Sequence, residues 1–207
     1  MLVELLRTKP WLRRTLSGLS VVLLLGGLGL VGYPFATNMW TDRIQSRLEN
    51  QLDDQIASPE LQQAYRERKI ETGDSLTRIK IPALGLDTVV VEGITPSALR
   101  AGAGHDPQTP LPCEGGNVAI AGHRTTYGRP FGNVDQLKPG DTIELTTPIG
   151  GCVYQVSRAP WVVAPSEMAV LDPTAERSLT LTTCHPKGSA AQRLIVRATW
   201  VKDLKAA

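Results

Sequence analysis

The run T-L-T-T-C-H-P-K-G-S-A-A-Q-R, from Thr180 to Arg193, decides how the second half of this chain folds. It begins inside the strand-like segment Leu179–Thr183 and ends where a second such segment, Leu194–Val201, resumes. The polar stretch H-P-K-G-S-A-A-Q between them is short enough for a hairpin connection. We therefore predict two antiparallel strands, with Arg193 brought beside Cys184.

Other segments rich in Val, Ile and Thr are separated by Pro and Gly turns, a pattern typical of short β-strands. These segments are Leu76–Ile81, Asp87–Glu92, Asn117–Ala121, Thr142–Thr146 and Val153–Val163. One short helix is predicted among them, with Thr95 as its cap, Pro96 in its first turn and Gly102 at its end. Many short strands with almost no helix predict a mainly β fold, a closed or nearly closed antiparallel barrel over residues 74–203.

The first forty residues have a different composition. No charged side chain occurs from Thr15 to Thr41, and Leu16–Phe35 is mostly Leu, Val and Gly. About 20 apolar residues are enough to cross a bilayer as a helix. Basic residues precede the run, Arg13 and Arg14 among them, so the positive-inside rule places the N-terminus in the cytoplasm and the rest outside. The alternative is a cleaved signal peptide, but the run is long for one and no small-x-small cleavage site follows it.

A helical stalk is predicted between this span and the barrel. Apolar residues recur every four positions from Trp40 to Ile56, and Ser58 with Pro59 begins a second helix. We interpret both helices as a solvated spacer, with a regulatory arm as the alternative. The predicted order is a cytoplasmic tail (1–14), a transmembrane signal-anchor (15–40), the stalk (41–73) and an extracellular domain (74–207).

Composition argues against several functional classes. The net charge is +2, five per cent of the residues are aromatic, and Lys and Arg are scattered, so nothing indicates nucleic-acid binding. Three histidines and three cysteines would permit a zinc site, but no C-x-x-C or H-x-x-x-H pair occurs. There is also no phosphate-binding glycine loop. The sequence therefore predicts no metal and no cofactor.

Strand parity groups three chemically interesting residues. Side chains alternate between the two faces of a strand, so residues two apart share a face. In S-L-T-L-T-T-C the leucines share one face, and Cys184 lies on the other with the threonines. His123 ends N-V-A-I-A-G-H among smaller residues, and Arg193 lies opposite the bulky set of R-L-I-V-R-A. The sequence does not place the strand of His123 relative to the other two.

A cysteine, a histidine and an arginine on one surface would suit nucleophilic acyl transfer. The thiol attacks a carbonyl, the imidazole moves protons, and the guanidinium stabilises the oxyanion. The residues alone leave other interpretations open. Cys184 is then a small buried hydrophobe, His123 a hydrogen-bonded loop residue, and Arg193 a solvated charge.

These motifs resemble those of the sortases, membrane-anchored cysteine transpeptidases of Gram-positive surfaces. T-L-T-T-C matches their T-L-x-T-C signature, G-N-V-A-I-A-G-H-R is similar to their histidine strand, and Q-R-L-I-V to their arginine strand. The run A-G-H-R-T-T-Y-G-R-P-F, with T-C-H-P later, is similar to class E, the housekeeping type of actinobacteria. The resemblance covers residues 76–201.

The resemblance implies an eight-stranded barrel and a catalytic triad of His123, Cys184 and Arg193. It implies cleavage after the threonine of an L-A-x-T-G-like sorting signal at the C-terminus of surface proteins, and transfer from a thioester to an amine of a lipid-linked peptidoglycan precursor. No second apolar span and no D-P-W-like lid are seen, which disfavours a pilus-polymerising type. The loop K-G-S-A-A-Q replaces a commoner aromatic-containing one. A hydrolytic thiol protease of the same fold and a non-catalytic wall-binding module are the alternatives.

Four residues near these motifs have two interpretations each. Tyr127 lines the substrate groove or packs under its loop, and Thr183 binds substrate backbone or only satisfies its strand. We interpret His105 as a loop hydrogen-bonder rather than a catalyst. His185 points away from Cys184 by parity and is not expected to be its proton partner.

The two cysteines that the mechanism does not use are Cys113 and Cys152. Both lie at predicted element ends, and outside the membrane no cytosolic glutathione keeps thiols reduced. We predict a disulfide between them, with two unpaired small apolar residues as the alternative.

Overall fold

The computed structural model describes residues 10–55 and 58–205. In this part of the chain three α-helices occur: α1 Pro10–Gln55, α2 Pro59–Arg66 and α3 Pro96–Ala101. The strands are β1 Ser75–Ile81, β2 Leu86–Glu92, β3 Ala103–His105, β4 Asn117–Ala121, β5 Thr142–Thr147, β6 Gly150–Val156, β7 Trp161–Val163, β8 Ser178–His185 and β9 Gln192–Leu204. Short 3-10 helices cover Pro82–Leu84, Val134–Gln136 and Met168–Leu171.

Eight of these strands close into a barrel. The strand order is β6-β5-β1-β2-β3-β4-β8-β9, and β6 pairs again with β9 to close it. The predicted closed β-barrel is confirmed, but it is not antiparallel throughout, because β2 pairs with β3, and β4 with β8, in parallel. Parallel neighbours need a crossover connection. Helix α3 supplies one, and the long excursion through β5, β6 and β7 supplies the other.

Two strand predictions need correction. The predicted strand Val153–Val163 is interrupted after Val156, and β7 resumes at Trp161 on the same edge of β9. The intervening Pro160 has no N–H to donate to a ladder, which explains the break. The three-residue strand β3 was missed, because A-G-H carries no β-branched residue and no alternation.

The barrel interior is filled by the aliphatic side chains whose alternation predicted the strands. Full burial of each such side chain stabilises the fold by roughly 1.5–3 kcal/mol relative to exposure. The larger fully buried ones include Ile79, Ile81, Ile120, Ile143, Leu145, Leu179 and Leu181. With this set facing inward, the alternate positions of β4 and β8 face away from the interior, and those at the strand ends, Ala121, Thr182 and Cys184, are partly exposed.

The stalk is not a solvated spacer, and that prediction is wrong for residues 41–52. Leu48 and Leu52 are buried against the outer face of β2, where Val89 and Val91 lie. The Gln45 amide accepts from the Val89 N–H at 3.0 Å and donates to the Ala101 carbonyl at 2.6 Å. The apolar stripe therefore packs on the barrel rather than on another partner. Ile56 lies outside the described residues.

Helix α2 is also held on the barrel. Ser58 caps it by accepting from the Leu61 N–H at 3.1 Å, as predicted. The buried Tyr65 hydroxyl donates to the Pro112 carbonyl at 3.0 Å, and its ring packs on Leu76. Burial raises the pKa of this tyrosine. Thr95 caps α3 in the predicted way, by accepting from an N–H three residues later.

Within the described residues, one helix is long and apolar enough to cross a membrane, over Arg13–Asn50. In the part from Leu16 to Phe35 its Leu and Val side chains are exposed, with 80% of the Leu30 surface accessible. It contains the predicted signal-anchor. Most of the predicted cytoplasmic tail lies outside the described residues.

The structure joins Cys113 and Cys152 in a disulfide, with their Cα atoms 5.6 Å apart. The bond ties the segment before β4 to β6. Because it closes a loop of 39 residues, it stabilises the fold by roughly 4 kcal/mol on the chain-entropy model. Arg177 donates to the Cys113 carbonyl and also pairs with Asp203 at 2.8 Å, which fixes the same corner.

Candidate active site

The parallel pairing of β4 with β8 brings His123 and Cys184 to the same place. Ala121 and Thr182 are register partners, and His123 and Cys184 each follow one of them by two residues, Cys184 within β8 and His123 just past the end of β4. The contact continues past the ladder, since the Gly122 N–H donates to the Thr182 carbonyl at 3.1 Å. His123 and Cys184 therefore leave neighbouring strands at the same end of the barrel.

Thr183 joins these two strands. Its hydroxyl donates to the Gly122 carbonyl at 2.7 Å, and the side chain is buried. This bond gives Thr183 a structural role, and contact with substrate backbone stays a prediction. This hydrogen bond joins the residues that directly precede Cys184 and His123.

Arg193 lies beside Cys184 from the opposite side, as the hairpin predicted. The two residues are register partners in the antiparallel pair β8–β9. The Arg193 guanidinium donates to the Ala190 carbonyl at 3.0 Å and to the Gln192 carbonyl at 3.1 Å. These two hydrogen bonds orient the Arg193 guanidinium toward the β8–β9 connection. The strand of Cys184, β8, thus lies between β4, which leads to His123, and β9, which carries Arg193.

The thiol of Cys184 is free and half-buried. All three cysteines of the chain lie in the described part, and the other two form the disulfide. The half-buried imidazole of His123 has a shifted pKa: burial lowers it below its usual value, and the positive charge of Arg100 lowers it further. The neutral form, which can accept a proton, is therefore favoured near pH 7.

Local packing sets the position of His123. The Phe131 N–H donates to its carbonyl at 3.1 Å, and the fully buried Phe131 ring passes close to Gly122. A Cβ atom on Gly122 would lie 2.7 Å from that ring. On the other side, the Tyr127 ring packs against the imidazole, with ring centroids 5.0 Å apart.

Arg124 links several parts of the site, although no sequence motif singles it out. Its side chain is buried, and Nη1 contacts the His185 Nδ1 at 2.7 Å and the Cys184 carbonyl at 3.4 Å. Nη2 pairs with Asp135 at 3.2 Å. Arg124 therefore ties the strand end that carries Cys184 to the loop that follows His123. His185 is engaged by this arginine, consistent with its predicted direction away from the thiol.

His105 is a structural hydrogen-bonder. It is buried, and its ring nitrogens contact Glu92 at 2.8 Å and the Pro110 carbonyl at 2.9 Å. The prediction of its hydrogen-bonding role is confirmed, although it ends β3 rather than lying in a loop.

Two cavities open near the three residues. One has a volume of about 270 Å³ and is lined mostly by apolar groups. Its wall includes residues that share the faces of His123, Cys184 and Arg193, as parity predicted: Ala119, Ala121, Thr182 and Ile195, with Arg193 itself. The other has a volume of about 450 Å³ and carries the cationic residues Arg124, Arg129 and Lys187.

Fold and site together define a class: a closed β-barrel with a free cysteine, a histidine and an arginine at the ends of adjacent strands. Residues 79–201 match the Sortase domain, and the chain belongs to the sortase family, whose members are cysteine transpeptidases. It is similar to Sortase SrtE1 of Streptomyces coelicolor, with 33% identity in an alignment of 148 positions; the match covers 64% of this chain and 42% of that relative.

Solved structures agree with this assignment. Sortase E of Streptomyces avermitilis has 34% identity and a TM-score of 0.60, over 64% of this chain and 91% of that one. The Clostridium perfringens Sortase D5 transpeptidase has 30% identity and a TM-score of 0.70, over 77% of this chain and 99% of that one. The predicted resemblance to sortases, and to sortase E among them, is confirmed.

Proposed function

We propose that this protein is a membrane-anchored cysteine transpeptidase that cleaves an L-A-x-T-G-like sorting signal and transfers the protein to a cell-wall amine. The observation that carries the proposal is the register of β4, β8 and β9, which sets Cys184 between His123 and Arg193. Sortases as a family act on surface proteins that carry sorting signals. The particular signal and acceptor belong to the proposal.

The three residues divide the chemistry as follows. Cys184 Sγ attacks the carbonyl carbon of the signal threonine while neutral His123 takes the thiol proton. Arg193 stabilises the oxyanion of the tetrahedral intermediate. The Thr–Gly bond then breaks, His123 gives its proton to the leaving amine, and a thioester remains on Cys184. An acceptor amine attacks that thioester, gives a proton to His123, and forms a new amide as the thiol is restored.

The apolar cavity supports a peptide donor site. It begins at Arg193 and Thr182, next to the thiol, and continues along the outer face of β4 to Met168 and Val170. Apolar walls suit the Leu and Ala side chains of the sorting signal. Arg193, which lines this cavity, is the register partner of Cys184, so a peptide bound in the cavity would end near the thiol.

The cationic cavity supports an anionic acceptor. Arg129 and Lys187 come from the two loops that follow His123 and Cys184, and both line this cavity. A peptidoglycan precursor that offers an amine also carries carboxylates or phosphates, which such a wall attracts. We infer that the acceptor approaches from this side and the donor peptide from the other.

The anchor helix supports the proposed location. Arg13 and Arg14 precede an uncharged span, so the catalytic domain would lie outside the plasma membrane with the N-terminus in the cytoplasm. A single-pass anchor holds the enzyme where exported substrates and lipid-linked precursors both pass.

Product analysis tests the proposal. The full-length chain in detergent is mixed with an L-A-x-T-G peptide, with and without an added amine nucleophile, and the products are identified by mass spectrometry. We expect cleavage after threonine and capture of the acyl group by the amine. Cleavage with water as the only acceptor would indicate a hydrolytic thiol protease, and no cleavage at all would indicate a wall-binding module.

A further inference from the structure

The middle of α1, from Tyr33 to Trp40, contacts the loop that follows the proposed catalytic histidine. The hydroxyls of Tyr33 and Tyr127 are hydrogen-bonded at 2.7 Å. The side-chain oxygen of Asn38 accepts from the Gly128 N–H at 3.0 Å. The Trp40 ring meets the Tyr127 ring edge-on, with centroids 6.5 Å apart. Three residues of the anchor helix thus hold two consecutive residues of this loop.

Tyr127 needs such support. Its φ of +52° lies in the left-handed region, which residues other than glycine rarely adopt. A backbone of this kind persists when its surroundings hold it in place. The surroundings here are the side chains of α1, together with Arg100, whose guanidinium lies 5.9 Å from the Tyr127 ring centre.

Tyr127 connects α1 to the proposed catalytic residue, because its ring packs on the His123 imidazole. In the described part of the chain, the charged and titratable groups near this imidazole include Tyr127 and Arg100, with Cys184 on the adjacent strand β8 and Arg193 on β9, one strand further. Helix α1 also holds the Arg100 backbone, since Thr41 donates to the Arg100 carbonyl at 3.2 Å. The anchor helix therefore holds Tyr127, which packs on His123, and the backbone of Arg100, whose charge acts on the same imidazole.

The distance along the helix from Arg14 to Tyr33 indicates the depth of the Tyr33–Tyr127 contact in the membrane. Tyr33 is 19 residues after Arg14 (33 minus 14), which is about 28 Å of helix. The hydrocarbon core of a bilayer is about 30 Å thick. Tyr33 thus reaches the outer interface, where tyrosine and tryptophan are favoured. Because Tyr33 bonds to Tyr127, the proposed orientation would bring the loop of Tyr127 close to the lipid headgroups.

We propose that Tyr33 is a positioning residue for transpeptidation: it holds Tyr127 against His123 and so couples the catalytic histidine to the membrane anchor. The inference rests on the proposed function of His123 and adds a residue from outside the barrel to the site. Tyr33 touches neither thiol nor substrate and acts through Tyr127.

A double-mutant cycle tests the coupling. Full-length wild-type, Tyr33→Phe, Tyr127→Phe and the double variant are placed in lipid nanodiscs, and kcat/KM is measured with the sorting-signal peptide. We expect each single variant to lose about fivefold, the effect of one ordinary hydrogen bond. The double variant should lose no more than either single one, because both changes remove the same bond.

Ser46→Ala is the matched control, because among the described residues its hydroxyl bonds only within α1, to the Asp42 carbonyl at 2.9 Å. It should leave kcat/KM unchanged. Thermal unfolding of every variant separates a loss of fold from a loss of position. Full activity of a folded Tyr33→Phe variant, or losses that add in the double variant, would overturn the proposal.

An NMR titration of His123 gives a readout that does not depend on turnover. The chain has three histidines, so labelled imidazoles are readily assigned. In a Cys184→Ala background, we expect Tyr33→Phe to raise the pKa of His123, because the imidazole becomes better solvated when Tyr127 is released. An unchanged pKa counts against the proposal. If the wild-type chain forms no acyl-enzyme, the proposed function fails, while the titration still decides whether Tyr33 governs His123.

Discussion

Gly122 is the residue that lets the strand of His123 pass the ring of Phe131. A Cβ atom at this position would lie 2.7 Å from one ring carbon and 3.0 Å from two others. The ring is fully buried and has no free direction in which to move. Overpacking of this kind costs about 1–3 kcal/mol, so we expect Gly122→Ala to lower the free energy of unfolding by about 2 kcal/mol.

The same clash should also lower the catalytic rate. His123 follows Gly122 directly, and a displacement of about 1 Å at a catalytic group can cost on the order of 100-fold. We therefore expect Gly122→Ala to reduce kcat/KM by on the order of 10- to 100-fold, measured beside denaturant unfolding. Gly115→Ala is the matched control, because a Cβ there meets nothing within 4 Å.

A second variant shows whether the clash is the cause. Phe131→Leu makes room, so the cost of Gly122→Ala should be smaller in that background, and the two changes should be non-additive. If Gly122→Ala behaves like Gly115→Ala in both unfolding and turnover, the close approach does not position His123 and the reasoning is refuted.

Three further predictions follow from the site. Arg193→Lys keeps the charge but loses the planar fork of donors, so turnover should fall by on the order of 100-fold or more; a loss confined to KM would point to binding instead. The pH profile of kcat/KM should be a bell. Its acid limb reports protonation of His123 and should lie below the ordinary pKa of about 6.5, because burial and Arg100 favour the neutral form. An acid limb above that value would contradict the assignment. Thiol titration of exported protein in denaturant should find one thiol before reduction and three after it, since Cys113 and Cys152 are bonded; three from the outset would exclude the disulfide.

Much of the barrel could be predicted because its strands carry local signals. Alternating aliphatic residues, Pro and Gly turns and the helix caps at Ser58 and Thr95 depend on near neighbours in sequence. The face shared by Cys184 and Arg193 followed from parity and one short hairpin. These features need no knowledge of distant contacts.

The features that escaped prediction depend on contacts between distant segments. His123 meets Cys184 through a parallel pairing of β4 with β8, and the chain between them says nothing about that pairing. The sequence pattern of the apolar stripe of α1 is the same whether the stripe packs on the barrel or on another partner, so the pattern does not identify the partner. From sequence, Arg124 would be expected to be a surface charge, because its burial beside His185 depends on the fold.

The central claim is that Cys184 carries the acyl group, and intact-mass measurement of the full-length enzyme tests it most directly. Incubation with the sorting-signal peptide should add the mass of the peptide up to its threonine, and peptide mapping should place the adduct on Cys184. An added amine should remove it and yield the amide product. A folded Cys184→Ala variant should show neither adduct nor product. An adduct on another residue, or full activity of Cys184→Ala, would contradict the account.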